Sequence, residues 1–455
     1  MTASPATDGR DPVLDAMIAG TWVNPETGET AAPVPFRDIR IMETTDGAEA
    51  DLVGALGLGK RLAVVSDENT HDAMGARVAR ALGSIATVDD IVIEGAKAGV
   101  EQAEAVRQRT RHADAVVAVG SGTVQDLVKY ATFLDGRKFV TFATAASMNG
   151  YTSITASITQ DGFKQSLKTH TPQGLYMDVG VAAAAPPFLA RAGIGDCLCR
   201  STAQVDWRMS TALLGTPYFE LPFTLQRDDE PVLLARAAGL ATGNTQAIAA
   251  LYRLLTWTGL GTCFTGTSHH GSMSEHLVSH WIDMFAGKAH PGTLHGHQVG
   301  FSAVSMSRLQ HRILKSDTPP VLHATAVDRD AMIARYGTAT GAACHAEFAA
   351  KALDAEAARA MTDRIAEDWD AFRAPLLEVM LPTETLEKAL TDCGGYVTAA
   401  DSGLPSGCYR DALIHAREIR NRFSILDIAG DSGQLASFAE EDAVRGTATA
   451  RGDAA

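Results

Sequence analysis

Five short apolar runs recur through roughly the first 180 residues of the chain, and the stretches between them carry apolar residues three or four apart. The runs are RLAVVSD (61–67), IVIEG (91–95), AVVAVGSG (115–122), FVTFATA (139–145) and GLYMDVGV (174–181), separated by segments such as HDAMGARVARAL and GVEQAEAVRQRT. A strand that is apolar throughout must be covered on both faces, and helices placed between successive strands supply that cover. The pattern therefore predicts a parallel, doubly wound α/β sheet. TSITASIT (152–159) and FKQSLKTH (163–170), flanking Asp161 and Gly162, are predicted to form a β-hairpin within this half.

Beyond the Ala-Ala-Pro-Pro stretch that ends at Pro187 the β-runs disappear and helical periodicity takes over, as in EPVLLARAAGLATGNTQAIAALYRLL and GHQVGFSAVSMSRLQHRIL. The expected division is an α/β domain over 1–182, an all-helical domain over 183–431, and a frayed tail over 432–455 that is rich in Ala, Gly, Asp and Glu. A chain of 455 residues with 46% hydrophobic and 20% charged residues is long enough for such domains to bury cores of their own. Its 39 basic residues against 54 acidic ones give a net charge of -15 with no basic run, which argues against nucleic acid as a partner. No apolar stretch approaches the ~20 residues needed to cross a bilayer, and MTASPATDGRDP lacks the features of a signal peptide, so a cytoplasmic protein is expected. The six scattered cysteines are expected to be reduced, and the Cys197/Cys199 pair is read as packing.

Three constellations carry chemistry. In AVVAVGSGTVQDLVKYATF an apolar strand runs into Gly120-Ser121-Gly122, after which Val124, Leu127, Val128 and Ala131 form the core stripe of a helix. Bare glycines and the free N–H groups near Thr123 and Val124 suit a pyrophosphate at the helix N-terminus. Gln125 stands where the dinucleotide fingerprint has its third Gly, so a ligand-free turn is the alternative. Next, seven of the fourteen histidines fall between His269 and His297. Within GSMSEHLVSHWIDMF, His276 and His280 lie one helical turn apart and could share a metal ion, with His295 or His297 of LHGHQVG as a third ligand. A solvated face or a substrate contact would place histidines in the same way. Finally, Asp196 in AGIGDCLCRSTAQVDW follows two glycines, where it either caps a helix N-terminus or faces a cleft.

Together these segments resemble the glycerol-1-phosphate dehydrogenase family, within the iron-containing alcohol dehydrogenase and dehydroquinate synthase-like superfamily. The resemblance runs from about Ile39 to Leu426 through GSGTVQDLVKY, ATAASMNGYTS (143–153), GIGDCLCRSTAQVDW, SEHLVSHWIDM with LHGHQVG, and YRDALIHAREIRNRFSILDIAG. It implies a Rossmann-like N-terminal domain, a helical C-terminal domain and an interdomain cleft. The metal ligands it implies are Asp196, His276 and His295, which form the catalytic centre, with His280 assigned to the substrate instead of the metal. Asp196, where dehydroquinate synthase uses Glu, implies a reductase. Gly120, Ser121, Gly122, Thr123 and Val124 are implied to cradle the cofactor pyrophosphate, Thr144, Ala145, Ala146 and Ser147 to line the nicotinamide side, and Ser153 to contact the nucleotide. Two positions depart from the pattern: Asn149, a substrate contact, replaces a common Asp, and His297 replaces a common Glu.

The activity implied is reduction of dihydroxyacetone phosphate to sn-glycerol 1-phosphate, or chemistry on a close phosphorylated polyol, with NAD(H) or NADP(H) and one divalent metal per chain. Zinc is the first choice of metal, with nickel or iron as alternatives. Asp67, ending VVSD, could bond a ribose hydroxyl and repel a 2′-phosphate, favouring NADH. Lys129, Lys164, Lys168, His280 and Arg200 are candidates for the substrate phosphate, and a homodimer or higher homo-oligomer is the family-like assembly. The rivals are a dehydrogenase of non-phosphorylated polyols or alcohols on the same fold, and a nucleotide-binding protein that has lost its chemistry.

Overall fold

The computed structural model of the chain describes residues 8–160 and 163–446. Asp161 and Gly162 of the expected hairpin, the side chain of Lys164 and residues 447–455 of the expected tail lie outside the described residues. Two compact units are present among the described residues: one gathers those up to Ile194 together with Leu221–Thr267, the other Gly195–Glu220 together with those from Ser268 onward.

The first unit is built on six parallel strands: β1 (Asp38–Met42), β2 (Arg61–Asp67), β3 (Thr87–Ile93), β4 (Ala115–Gly120), β5 (Lys138–Ala143) and β8 (Gly174–Asp178). Their order across the sheet is β1-β8-β5-β4-β2-β3. In β4 every residue is buried. Val117 and Val119 enter one core with Leu52, Met74, Val78 and Leu82, whereas Val116 and Ala118 enter another with Val106, Val124, Leu127 and Val128. An apolar strand with helices on both faces is what its sequence requires. The hairpin forms as β6 (Thr155–Gln160) and β7 (Phe163–Lys168), antiparallel and shifted by three residues at its start. β1 was not expected: DIRIM carries Asp38 and Arg40, which pair with each other at 2.9 Å on an edge strand where only β8 is a neighbour.

Leu221–Thr267 belongs with the sheet although its sequence is helical. The helix Thr245–Thr265 carries Gly259, where an added Cβ would stand 2.2 Å from the Asn149 carbonyl oxygen and 2.2 Å from Thr152 Oγ1. The 149–154 segment thus lies on bare helix backbone, tied by Thr152 Oγ1 donating to Thr256 O (2.9 Å) and Ile154 N donating to Thr262 Oγ1 (3.0 Å). This contact was invisible to a periodicity argument and moves part of the expected 183–431 domain to the first unit.

The second unit is helical around a large core of its own that includes Val278, Ile282, Phe301, Met306, Tyr409 and Leu426. Residues expected to fray from 432 onward instead begin with a helix, Leu435–Ala443, whose Leu435, Phe438, Ala439 and Ala443 enter that core. Among the described residues no helix is long and apolar enough to cross a membrane, and the six cysteines form no disulfide.

Candidate functional site

In the first unit, β4 ends at Gly120 and the helix Gly122–Leu134 begins two residues later, so Ser121 is its N-cap. A Cβ on Gly120 would meet Val124 at 2.7 Å, which makes that glycine a packing requirement of the turn. A Cβ on Gly122 would press on the Met148 side chain, whose sulfur is nearest at 3.2 Å, and a flexible thioether can give way. A cavity of about 440 Å³ adjoins this turn, lined by Thr44, Asn69, Thr70, Ser121, Thr144 and Asp178 among others. These residues end or follow β1, β2, β4, β5 and β8, the carboxyl edge at which parallel sheets bind ligands.

Of the residues expected to bind a cofactor, Ser121 and Thr144 line this cavity. Thr123 and Val124 form the first helical turn, with Val124 in the core. Ala145 and Ala146 are buried, and Ala145 O accepts from the Tyr151 hydroxyl at 2.8 Å. Ser147 lies in the loop that follows β5, and Ser153 Oγ donates to Thr155 O at 2.8 Å. Asp67 is a helix N-cap: its carboxylate accepts from Thr70 N (2.8 Å) and Thr70 Oγ1 (2.9 Å), and its neighbours Asn69 and Thr70 are the residues that reach the cavity. Thr44, Asn69, Thr70 and Asp178 were missed by motif reading, although their positions just past strand ends would have indicated them. Gly122→Val is expected to fold, because Met148 can move, and to weaken NADH binding at least tenfold by filling the mouth of the turn. Unchanged NADH titration by the folded variant would exclude this loop as a dinucleotide site.

Two expected phosphate cations are engaged elsewhere. Lys129 is buried, and its ammonium donates to the carbonyl oxygens of Gly150 (2.5 Å), Ser153 (3.0 Å) and Thr155 (3.1 Å). Burial pulls its pKa down to about 8, with Asp126 acting in the opposite direction. Lys129 thus organises the 150–155 segment and is no phosphate ligand. Arg200 donates to Gln204 Oε1 (3.1 Å) and to Val379 O (3.3 Å), whereas Lys168 is exposed.

In the second unit, ligand atoms of Asp196, His276 and His295 all lie within 4.8 Å of one another. Asp196 is in the last turn of the helix Pro187–Cys197, so it caps no helix N-terminus. A Cβ on the preceding Gly195 would stand 2.1 Å from Gly296 O and 3.3 Å from Gly300 Cα. The glycines of GIGD and LHGHQVG are therefore complementary, letting backbone meet backbone and bringing Asp196 beside His295, the first residue of the helix His295–Leu314. His276 stands in the first turn of the helix Ser274–Phe285. Its Nε2 is 3.5 Å from Asp196 Oδ1, and its Nδ1 is 2.9 Å from Glu275 Oε1. His295 Nδ1 is 2.8 Å from Ser279 Oγ, which donates to Gln298 Oε1 at 2.8 Å.

The helical spacing suggested a His276–His280 pair, but those rings are 6.2 Å apart, whereas each is 5.1 Å from His295. His297 packs edge-on against Tyr396, and Ser279 and Gln298 stand behind His295. Burial would push the His276 imidazolium down, but bonds to Asp196 and Glu275 outweigh it and its pKa is raised. The pocket therefore favours positive charge. One carboxylate and two imidazoles whose Nδ1 atoms are already engaged fit a divalent cation approached through Nε2.

The fold is that of solved polyol and alcohol dehydrogenases. A probable glycerol dehydrogenase from Sinorhizobium meliloti superposes with a TM-score of 0.58 at 19% identity, over 89% of this chain and 98% of that one. An archaeal alcohol dehydrogenase from a Red Sea brine pool gives 0.59 at 13% identity, over 91% and 99%. Residues 40–186 match the family profile described as iron-containing alcohol dehydrogenase. Among curated relatives, the glycerol-1-phosphate dehydrogenase (NAD(P)+) of Bacillus velezensis is 28% identical over 90% of this chain and 94% of its own length. That of Thermococcus kodakarensis is 30% identical over 60% and 77%. The chain belongs to the glycerol-1-phosphate dehydrogenase family of iron-containing alcohol dehydrogenases.

Proposed function

We propose that the protein is a metal-dependent NAD(P)H oxidoreductase that reduces the C2 ketone of dihydroxyacetone phosphate to sn-glycerol 1-phosphate, or acts on a close phosphorylated polyol. The observation that carries this reading is the convergence of Asp196, His276 and His295 in a chain whose relatives are named glycerol-1-phosphate dehydrogenases. These three side chains would hold the ion, and zinc suits a donor set of one carboxylate and two imidazoles, with nickel and iron as alternatives. When bound, such an ion supplies Lewis-acid polarisation of a carbonyl oxygen.

The chain's own groups supply the rest. Backbone N–H groups from Gly120 to Val124 hold the pyrophosphate, and the Ser121 and Thr144 hydroxyls bond the cofactor. Asp67, held in place by Thr70, puts a negative charge at the end of β2 that disfavours a 2′-phosphate, so NADH is the preferred reductant. His280 bonds the substrate, and its imidazole can deliver the proton that the product hydroxyl requires. Asn149 orients a substrate hydroxyl and cannot itself exchange a proton.

Metal content after gel filtration, combined with NADH and NADPH oxidation on dihydroxyacetone phosphate and on dihydroxyacetone, tests the reading. About one ion per chain and turnover that depends on the phosphate are expected. The engagement of Lys129 and Arg200 with protein carbonyl groups favours the second reading, a non-phosphorylated polyol or alcohol. Equal turnover on dihydroxyacetone would select it. Asn149→Ala is expected to lower kcat/KM on the phosphorylated substrate about tenfold, the worth of one neutral hydrogen bond. A loss as large as that of a metal ligand would show that Asn149 does more than orient.

A further inference from the structure

We propose that Glu275 is a positioning residue that fixes the tautomer of His276 and thereby sets the metal affinity of the site, an inference that rests on the ligand set proposed above. Glu275 is wholly buried, and a carboxylate taken from water costs several kcal/mol unless hydrogen bonds satisfy it. Three donors do so: His276 Nδ1 (2.9 Å) and Met273 N (2.7 Å) reach Oε1, and Thr202 Oγ1 (3.0 Å) reaches Oε2. An ionised carboxylate only accepts, so Nδ1 must carry a proton, and Nε2, the atom nearer Asp196, is then the nitrogen whose lone pair the neutral ring offers when an incoming cation displaces the second proton.

His295 reaches the same state by a different route. Gln298 Nε2 donates to Asp283 Oδ1 (2.9 Å), which turns Gln298 Oε1 toward Ser279. The Ser279 hydroxyl has one proton and gives it to Gln298, so its oxygen accepts from His295 Nδ1. Ser279 is neutral, however, whereas Glu275 adds a second negative charge behind a site whose ligands include the Asp196 carboxylate. Two carboxylates balance a divalent cation, and a carboxylate raises the basicity of the imidazole it holds.

The loop before the helix is built to keep Glu275 in place. Arg422 donates to the Ser272 carbonyl and to Ser268 Oγ (2.9 Å), spanning the turn that leads into Ser274. Cys199, Glu275 and His276 also lie close enough to form a ligand trio of their own. Cys199 Sγ instead shares its one proton between Asp196 O (3.0 Å) and Gly271 O (3.3 Å), and both Glu275 oxygens already accept, so this group supports the site and does not form another.

The bond from Met273 N makes helix capping the competing role for Glu275. Capping would move stability alone. The test is zinc affinity, measured by competition with a chromophoric chelator, alongside the melting temperature of the zinc-free protein, for Glu275→Ala, Glu275→Gln and Asp196→Ala. Zinc binding about 10–100-fold weaker in Glu275→Ala is expected, with Glu275→Gln, which keeps an acceptor but not the charge, falling between it and the wild type. If Glu275→Ala does not fold, the isosteric Glu275→Gln decides alone. Zinc affinity within about twofold of wild type in the folded Glu275 variants, with only the melting temperature lowered, overturns the proposal. If Asp196→Ala also retains zinc, the ligand set is wrong and this inference falls with it; if Asp196→Ala loses zinc and the Glu275 variants do not, the inference alone falls.

Discussion

Replacing Asp196, His276 or His295 by Ala is expected to leave a folded protein without measurable turnover and without retained metal. Each change removes one of three donors whose atoms lie within 4.8 Å of one another, and the helix backbones around Gly195 and Gly296 are too tightly packed for another side chain to move in. For Asp196 the electrostatic effect is largest, because its carboxylate faces His276 Nε2 at 3.5 Å and is buried. Removing a buried charge partner typically costs about 3–5 kcal/mol, so the lost affinity should be far greater than for any exposed histidine. His269 is the control: it packs against Trp207 outside the trio, and His269→Ala should keep its metal. Full metal content and activity in His276→Ala would refute the site as a whole.

Gly195→Ala is expected to be nearly as damaging although it removes no functional group. Its Cβ would sit 2.1 Å from the Gly296 carbonyl oxygen, where contacts under 3.0 Å are essentially never seen and the obstacle is backbone. The helices carrying Asp196 and His295 must separate by about 1 Å, a displacement that can lower a rate on the order of a hundredfold, and overpacking adds about 1–3 kcal/mol of destabilisation. Gly407→Ala offers a matched comparison, since a Cβ there meets nothing within 4 Å. Calorimetry and metal analysis of the two variants should separate them clearly. Wild-type melting and metal content in Gly195→Ala would show that the glycine contact does not position the site.

The sheet was legible because two-faced burial leaves a mark in each strand by itself: Val116 and Val117 face opposite cores, so both must be apolar. β1 escaped because an edge strand needs no such run. The helix Thr245–Thr265 was legible as a helix but not as a partner of the sheet, since helical periodicity reports a face and not what covers it. The same limit applied at the site. Two histidines a turn apart announce themselves in sequence, whereas the approach of Gly195 to Gly296 joins segments about a hundred residues apart. Glu275 went unnoticed because adjacent helical residues ordinarily point in different directions, and its bond to His276 arises only at the start of the helix.

The grip of Lys129 on three carbonyl oxygens has a counterpart in the way proteins hold alkali cations, in cages of backbone oxygen. Here the cation is tethered to the chain by a covalent stem and belongs to the helix that starts at the Gly-Ser-Gly turn. The 150–155 segment therefore keeps its shape without drawing on the ionic composition of its surroundings. The cluster of Asp196, His276 and His295 is of the opposite kind, since the cation proposed for it would come from solution. On the proposed ligand set, a chelator would strip that cluster and leave the carbonyl cage filled, so the two places differ in what the environment can take away.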